Sequence, residues 1–364
     1  MKFITEFRRS ELAEGLISQI HRRSKTPVRL MEFCGGHTVT IFRYGIRQVL
    51  PKTIEMVSGP GCPVCVTANA DLDKAIALSQ VPDVIITTFG DMLKVPASHS
   101  SLQKVKADGA DVRVVYSTMD ALEIAEGNPT ESVIFLGIGF ETTAPTIAAS
   151  ILQAKERGIK NYYILSMHKL CPPVIRALLD SGEVKLHGLI CPGHVSAIIG
   201  SHPWEFIARD YGIPCVVSGF EPLDILQCVD MLVSQVEKGE SKVEIAYRRG
   251  VRPEGNREAL KLIEQVFEPC PAEWRGIGEV PDSGLKLRKE YQSFDAKLAF
   301  DIEPGPTYEP SGCICGDILR GVKTPADCKL FGKACTPEYP VGPCMVSSEG
   351  SCSAYYLYGG DFGG

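Results

Sequence analysis

Along residues 10–23 the apolar positions Leu12, Leu16, Ile17 and Ile20 share one helical face, which predicts an amphipathic helix. Short apolar runs then recur at 28–33, 54–57, 84–88 and 112–116, separated by helix-length segments such as 69–80. A second set follows at 133–138, 162–166, 186–190 and 215–218. Corresponding runs start 102 to 108 residues apart and in the same order. That regularity predicts two tandem α/β units of one plan, with parallel strands and right-handed crossovers.

The turns after these runs correspond as well. Cys34-Gly35-Gly36-His37-Thr38 aligns with Gly139-Phe140-Glu141-Thr142-Thr143. The turn holding Cys62 and Cys65 aligns with Ser166-Met167-His168-Lys169-Leu170-Cys171-Pro172, and Thr88-Phe89-Gly90-Asp91 with Cys191-Pro192-Gly193-His194. All leave the carboxyl ends of their strands, where open α/β sheets bind ligands, so two such units face each other across a cleft. Beyond residue 220 the pattern changes. Leu226, Val229, Val233 and Val236 mark a helix over 222–237, another follows at 257–267, and from 268 onward the chain is rich in Pro, Gly and Cys. Such a tail cannot easily build its own core and needs a metal cluster or the rest of the protein to hold it. The expected layout is an N-terminal helix over 1–25, α/β domains over 26–125 and 126–222, and a helical, Cys-rich domain over 223–364.

Charge narrows the function classes. A formal charge of −6 over 364 residues gives no basic footprint for nucleic acid. No run reaches membrane-spanning length, and the first residues lack the apolar core of a secretion signal, so the expectation is a cytoplasmic protein. Fourteen cysteines in that compartment point to metal ligation or redox chemistry rather than disulfide scaffolding.

Their placement carries the chemistry. Cys34, Cys62 and Cys65, with His37, form a candidate soft-metal site of three sulfurs and one nitrogen. Cys62-Pro63-Val64-Cys65 has a spacing that permits either a disulfide or chelation of one metal, on a turn stiffened by Pro60 and Pro63. For His37 the competing reading is a polar residue at a helix start. Glu141 and His194 are candidates by their turn positions, ahead of His168 and Asp91. Cys313, Cys315, Cys328, Cys335, Cys344 and Cys352 crowd into 40 residues without paired Cys-x-x-Cys knuckles. That spacing suits a [4Fe–4S] cluster better than structural zinc and leaves two spare thiols able to move electrons in pairs. Of the scattered Cys171, Cys191, Cys215, Cys228 and Cys270, most read as buried small hydrophobes. There is no phosphate-binding Gly-x-x-x-x-Gly-Lys motif, no complete dinucleotide fingerprint after Gly137-Ile138-Gly139, and no Gly-x-Ser-x-Gly elbow.

Cys34-Gly35-Gly36-His37-Thr38, Gly59-Pro60-Gly61-Cys62-Pro63-Val64-Cys65, Gly139-Phe140-Glu141-Thr142-Thr143-Ala144-Pro145, Pro192-Gly193-His194-Val195-Ser196 and the C-terminal cysteines together resemble the HypD family of [NiFe]-hydrogenase maturation proteins. The resemblance covers essentially the whole chain. It implies a scaffold for an iron carrying two cyanides and one carbon monoxide, with the small chaperone HypC as partner and HypE as cyanide donor. It implies Cys34 as the iron anchor, with Cys62, Cys65 and His37 around it. It further implies Cys313, Cys328, Cys335 and Cys352 as cluster ligands and Cys315 with Cys344 as a neighbouring redox pair, similar to ferredoxin:thioredoxin reductase. The alternative carried forward is a free-standing thiol-disulfide oxidoreductase driven by the cluster, and a third reading is a passive iron-binding module.

Overall fold

The computed structural model describes residues 5–359, so the outermost residues of the expected first and last domains lie outside it. The predicted first helix runs from Ser10–Arg23. Nine strands then follow: β1 Val28–Glu32, β2 Ile54–Ser58, β3 Val84–Thr88, β4 Asp111–Val114, β5 Ser132–Gly137, β6 Tyr162–Ser166, β7 Gly188–Pro192, β8 Cys215–Ser218 and β9 Val243–Ile245. All pair in parallel, in two sheets of order β2-β1-β7-β8-β9 and β4-β3-β5-β6. The α/β class with two parallel sheets thus stands as expected.

The sheets do not follow the expected division into 26–125 and 126–222. The four strands of the second sheet are one continuous stretch of chain, placed between β2 and β7 of the first. β1 pairs with β7 (Leu30 opposite Gly188), and β3 pairs with β5 (Val84 opposite Ser132). Each repeat unit therefore gives half its strands to each sheet. The physical reason is that these strands are apolar on both faces; β3 and β7 are buried at every position. A strand buried on both sides carries the same pattern whichever neighbour it takes. The repeat reports the rhythm of strand and helix, not the pairing.

This topology moves residues relative to expectation. The turns after β1, β2, β7 and β8 all open at the carboxyl edge of the first sheet, so His194 shares that edge with Cys34, His37, Cys62 and Cys65. Glu141, after β5, belongs to the second sheet.

Two further strands, β10 Phe267–Trp274 and β11 Gly278–Leu287, form an antiparallel hairpin that the sequence reading left unassigned. Pro269 and Pro271 lie within β10, and a register shift between Cys270 and Ala272 accommodates them at this two-stranded edge. The Cys-rich tail folds into short helices, ending in Ser351–Tyr358, which packs on the helix Gly35–Arg43 through Phe42 and Tyr355 at a ring distance of 4.2 Å. Arg47 binds the Tyr355 hydroxyl from the same side. Among the described residues no helix is long and apolar enough to cross a membrane.

Candidate functional site

Cys34 is the last extended residue before the helix Gly35–Arg43. Its backbone nitrogen donates to Glu32 Oε2 at 3.0 Å, and Thr38 Oγ1 donates to Glu32 Oε1. Glu32 is itself buried, and burial pushes its carboxyl up to about 7. Burial and then the Glu349 charge push the Cys34 thiol up to about 12. A proton therefore stays on the sulfur until a cation displaces it.

The second turn lies on the first. Gly35 N donates to Gly61 O at 3.0 Å, and a Cβ at Gly61 would collide with the Cys34 nitrogen, so glycine is the residue this contact admits. Pro63 starts the helical turn Pro63–Val66, which sets Cys62 and Cys65 Cα atoms 5.2 Å apart and joined by a disulfide. In this state they are not free thiolates. The metal-ligand reading of Cys62 and Cys65 gives way here to the disulfide that the same spacing permits.

His37 is fully buried, and burial lowers its pKa to about 4. Its Nε2 lies 3.3 Å from Ser218 O, a carbonyl that only accepts, so Nε2 carries the proton. The lone pair is left on Nδ1, which is buried without a hydrogen-bond partner among the described residues. His37 does lie in the first turn of the helix Gly35–Arg43, as the competing reading has it, but its ring bonds Ser218 O of β8 rather than capping that helix. Phe220 stacks on His37 at 4.9 Å and on His194 at 3.8 Å, so it stands between the two imidazoles. His194 is exposed at the rim of the site, and the structure does not bring it to Cys34. Phe220 carries no functional signature in the sequence beyond its position in the turn after β8, following Gly219.

Glu141 is buried, with its carboxyl pushed up to about 7 by that burial. Its Oε1 accepts from Cys171 N at 2.8 Å, and its Oε2 has no hydrogen-bond partner among the described residues. Cys171, fully buried at the start of the helix Cys171–Ser181, feels Glu141 and Cys34 together. Burial first, then those neighbours, raises its thiol well above the ordinary value. Cys171 thus bonds Glu141 directly and lies near enough to Cys34 to feel its charge. The sequence reading set it among the scattered cysteines, although its turn aligned with that of Cys62 and Cys65.

The six C-terminal cysteines line one pocket, with apolar walls from Ile318, Leu330, Phe331 and Met345. Hydrogen bonds from Cys313 and Cys344 hold the Cys315 thiol well below its ordinary value, while the same contacts push Cys313 and Cys344 up. Gly342 completes the wall; a Cβ there would stand 2.6 Å from Cys313 Sγ. No three His, Cys, Asp or Glu side chains converge on a single-ion site among the described residues. Thiols set around a pocket, rather than aimed at one point, suit a cluster whose irons each take one thiolate. The structure puts all six on the same wall and does not itself divide them into four ligands and a pair.

This pocket adjoins the sheet edge. Cys65 Sγ lies 3.9 Å from the carbonyl of Pro343, the residue before Cys344. A Cβ at Gly35, beside Cys34, would collide with Glu349. The fold and site together define a cysteine-rich α/β protein in which a disulfide turn separates a buried thiol from a six-thiol pocket.

Comparison with known proteins places that class. A family model described as "HypD: Hydrogenase formation hypA family" matches residues 11–359. The "Hydrogenase maturation factor HypD" of Rhodobacter capsulatus is 48% identical over 372 residues, covering 99% of this chain and 99% of its own. Proteins of the same name from Cupriavidus necator and Escherichia coli are 47% and 44% identical, each covering at least 97% of both chains. The chain belongs to the HypD hydrogenase formation family.

Proposed function

We propose that the chain is a cytoplasmic maturation scaffold that receives iron as cargo at Cys34 and, with a HypC-type chaperone and cyanide from HypE, assembles the Fe(CN)2CO group of [NiFe] hydrogenases. The observation that carries this reading is the contiguity of three sulfur sites at one sheet edge: Cys34, the Cys62–Cys65 disulfide, and the pocket holding Cys344. Iron binding at Cys34 releases the thiol proton, and the unpartnered Nδ1 lone pair of His37, three residues on, offers a neutral donor.

Cyanide delivery is reductive. A thiocyanate carrier R–S–CN needs two electrons and one proton to give R–SH and cyanide. Two electrons and two protons open the Cys62–Cys65 disulfide, and its reclosure returns both. Thiocyanate and dithiol thus yield thiol, disulfide and hydrogen cyanide, with atoms and electrons balanced. Cys315 and Cys344 are the pair that would reopen the disulfide by exchange, across the Pro343 contact. A [4Fe–4S] cluster on Cys313, Cys328, Cys335 and Cys352 would supply electrons when bound. Glu141, its carboxyl pushed up to about 7, is a proton-carrying group bonded to Cys171 near Cys34, and His194 stands at the rim.

Infrared spectra of the anaerobic protein with its small partner test the reading. Bands of iron-bound cyanide and carbon monoxide are expected in wild type and lost in Cys34→Ala; their persistence in the variant would overturn the assignment of Cys34. The disulfide itself favours a second reading, a cluster-driven thiol-disulfide oxidoreductase. That reading predicts disulfide reductase turnover without infrared bands.

A further inference from the structure

Arg275 is a buried cation that neither sulfur site accounts for. Its side chain is 1% exposed. The backbone nitrogen donates to Val66 O at 2.9 Å, one residue beyond Cys65. On the other side Gly276 packs so closely on Gly316, the residue after Cys315, that a Cβ on it would collide with that backbone. The Arg275 backbone therefore runs from the Cys62–Cys65 turn to the chain beside Cys315, and its guanidinium is close enough for its charge to help hold the Cys315 thiol down.

Its hydrogen bonding is incomplete. Nη2 donates to Pro96 O at 3.3 Å, while Nε and Nη1 have no hydrogen-bond partner among the described residues. Glu309 Oε1 lies 3.3 Å from Nε without forming a hydrogen bond, and that carboxylate is 58% exposed. A buried guanidinium with two unpaired N–H groups and one solvent-screened counter-charge is costly to keep. Anchoring a loop would not require a charge, because a neutral amide at the same place could bond Pro96.

We propose that Arg275 is an electrostatic positioning residue that makes the sulfur pocket easier to reduce. Arg275 is buried, with its neighbour Gly276 packed on the residue after Cys315. Its fixed positive charge favours whichever state of the pocket carries the additional electron, and low local polarity keeps that influence strong. Glu309 opposes it partly from the solvent side. This inference rests on the iron–sulfur reading of the pocket and adds to it the residue that tunes the pocket's potential.

The test is an anaerobic redox titration of the full-length protein, followed by electron paramagnetic resonance, in wild type, Arg275→Gln, Arg275→Lys and Glu309→Gln. Arg275→Gln is expected to weaken reduction about tenfold, which for a one-electron couple is a shift of about 59 mV to lower potential. Arg275→Lys is expected to restore most of it by charge alone, and Glu309→Gln to shift the midpoint the other way. Should Arg275→Gln not retain iron, the Glu309→Gln shift, on an exposed side chain, still decides. Equal midpoints in all folded variants would overturn the role of Arg275 and leave the cluster reading intact. A wild type lacking iron–sulfur absorption after anaerobic purification overturns both. A purely structural Arg275 would change iron content or melting temperature while leaving the midpoint in place.

Discussion

At the scale of single residues, the site is built from groups held in their uncharged forms by burial. Glu141 keeps its proton to about 7 in the folded chain, against 4.5 for an exposed carboxyl. Its contribution to stability is therefore complete below 4.5 and is lost as pH rises through 7. His37, lowered to about 4, acts in the opposite sense, and its contribution is lost as pH falls from 6.5 toward 4. The two largely offset between those limits. Glu141→Gln removes one arm, so urea unfolding of the variant relative to wild type should improve between pH 4.5 and 7.5, by up to about 3 kcal/mol. A difference that stays flat with pH would mean that Glu141 is ionised in the fold. Residue identities here were legible because chemistry-bearing types sit in unusual turns. What was not legible was distance: Cys171 looked inert until packing placed it by Cys34, and Phe220 became notable only through its two imidazole neighbours.

At the scale of elements, the C-terminal segment is held by backbone proximity. Gly35 has no room for a side chain because Glu349 lies on it, and the helix Ser351–Tyr358 closes over Phe42 and Arg47. Gly35→Ala should lift this segment and speed hydrogen exchange over 343–358 while leaving the second sheet protected. Unchanged exchange there would show that the contact is not structural. Helices at 10–23, 222–237 and 257–267 were readable from apolar spacing, and the structure places helices at Ser10–Arg23, Pro222–Lys238 and Arg257–Val266. The β10–β11 hairpin was not, because prolines in a run argue against a strand and the bulge that tolerates them has no signal of its own.

For the whole molecule, the class of fold followed from the rhythm of strand and helix, whereas the division into domains did not. Pairing of β1 with β7 and β3 with β5 means that residues 26–125 contain two of the five strands of the first sheet and two of the four of the second. Expressed alone, that fragment should remain unfolded by circular dichroism, since β7 beside β1 and β5 beside β3 are missing and each sheet is cut to a single strand pair. A folded, cooperative fragment would restore the tandem-domain view. The wiring also explains how Cys34 and Glu141, on turns of different sheets, both reach Cys171. The helix Cys171–Ser181 begins where the chain leaves the second sheet to return to the first.

The insertion of one sheet within the other sets an order of events during synthesis. Strands 84–166 can pair among themselves as soon as they leave the ribosome, because every partner lies within that stretch. β1 must wait for β7, more than 150 residues downstream, before its second edge is covered. Until then the turn bearing Cys34 lacks the Ser218 carbonyl, the Phe220 ring and the C-terminal segment that together enclose it. The newborn chain therefore has its Cys34 thiol but no chamber around it. On the proposed reading, an unfinished chain would therefore be unable to receive iron until the C-terminal segment had folded over Cys34.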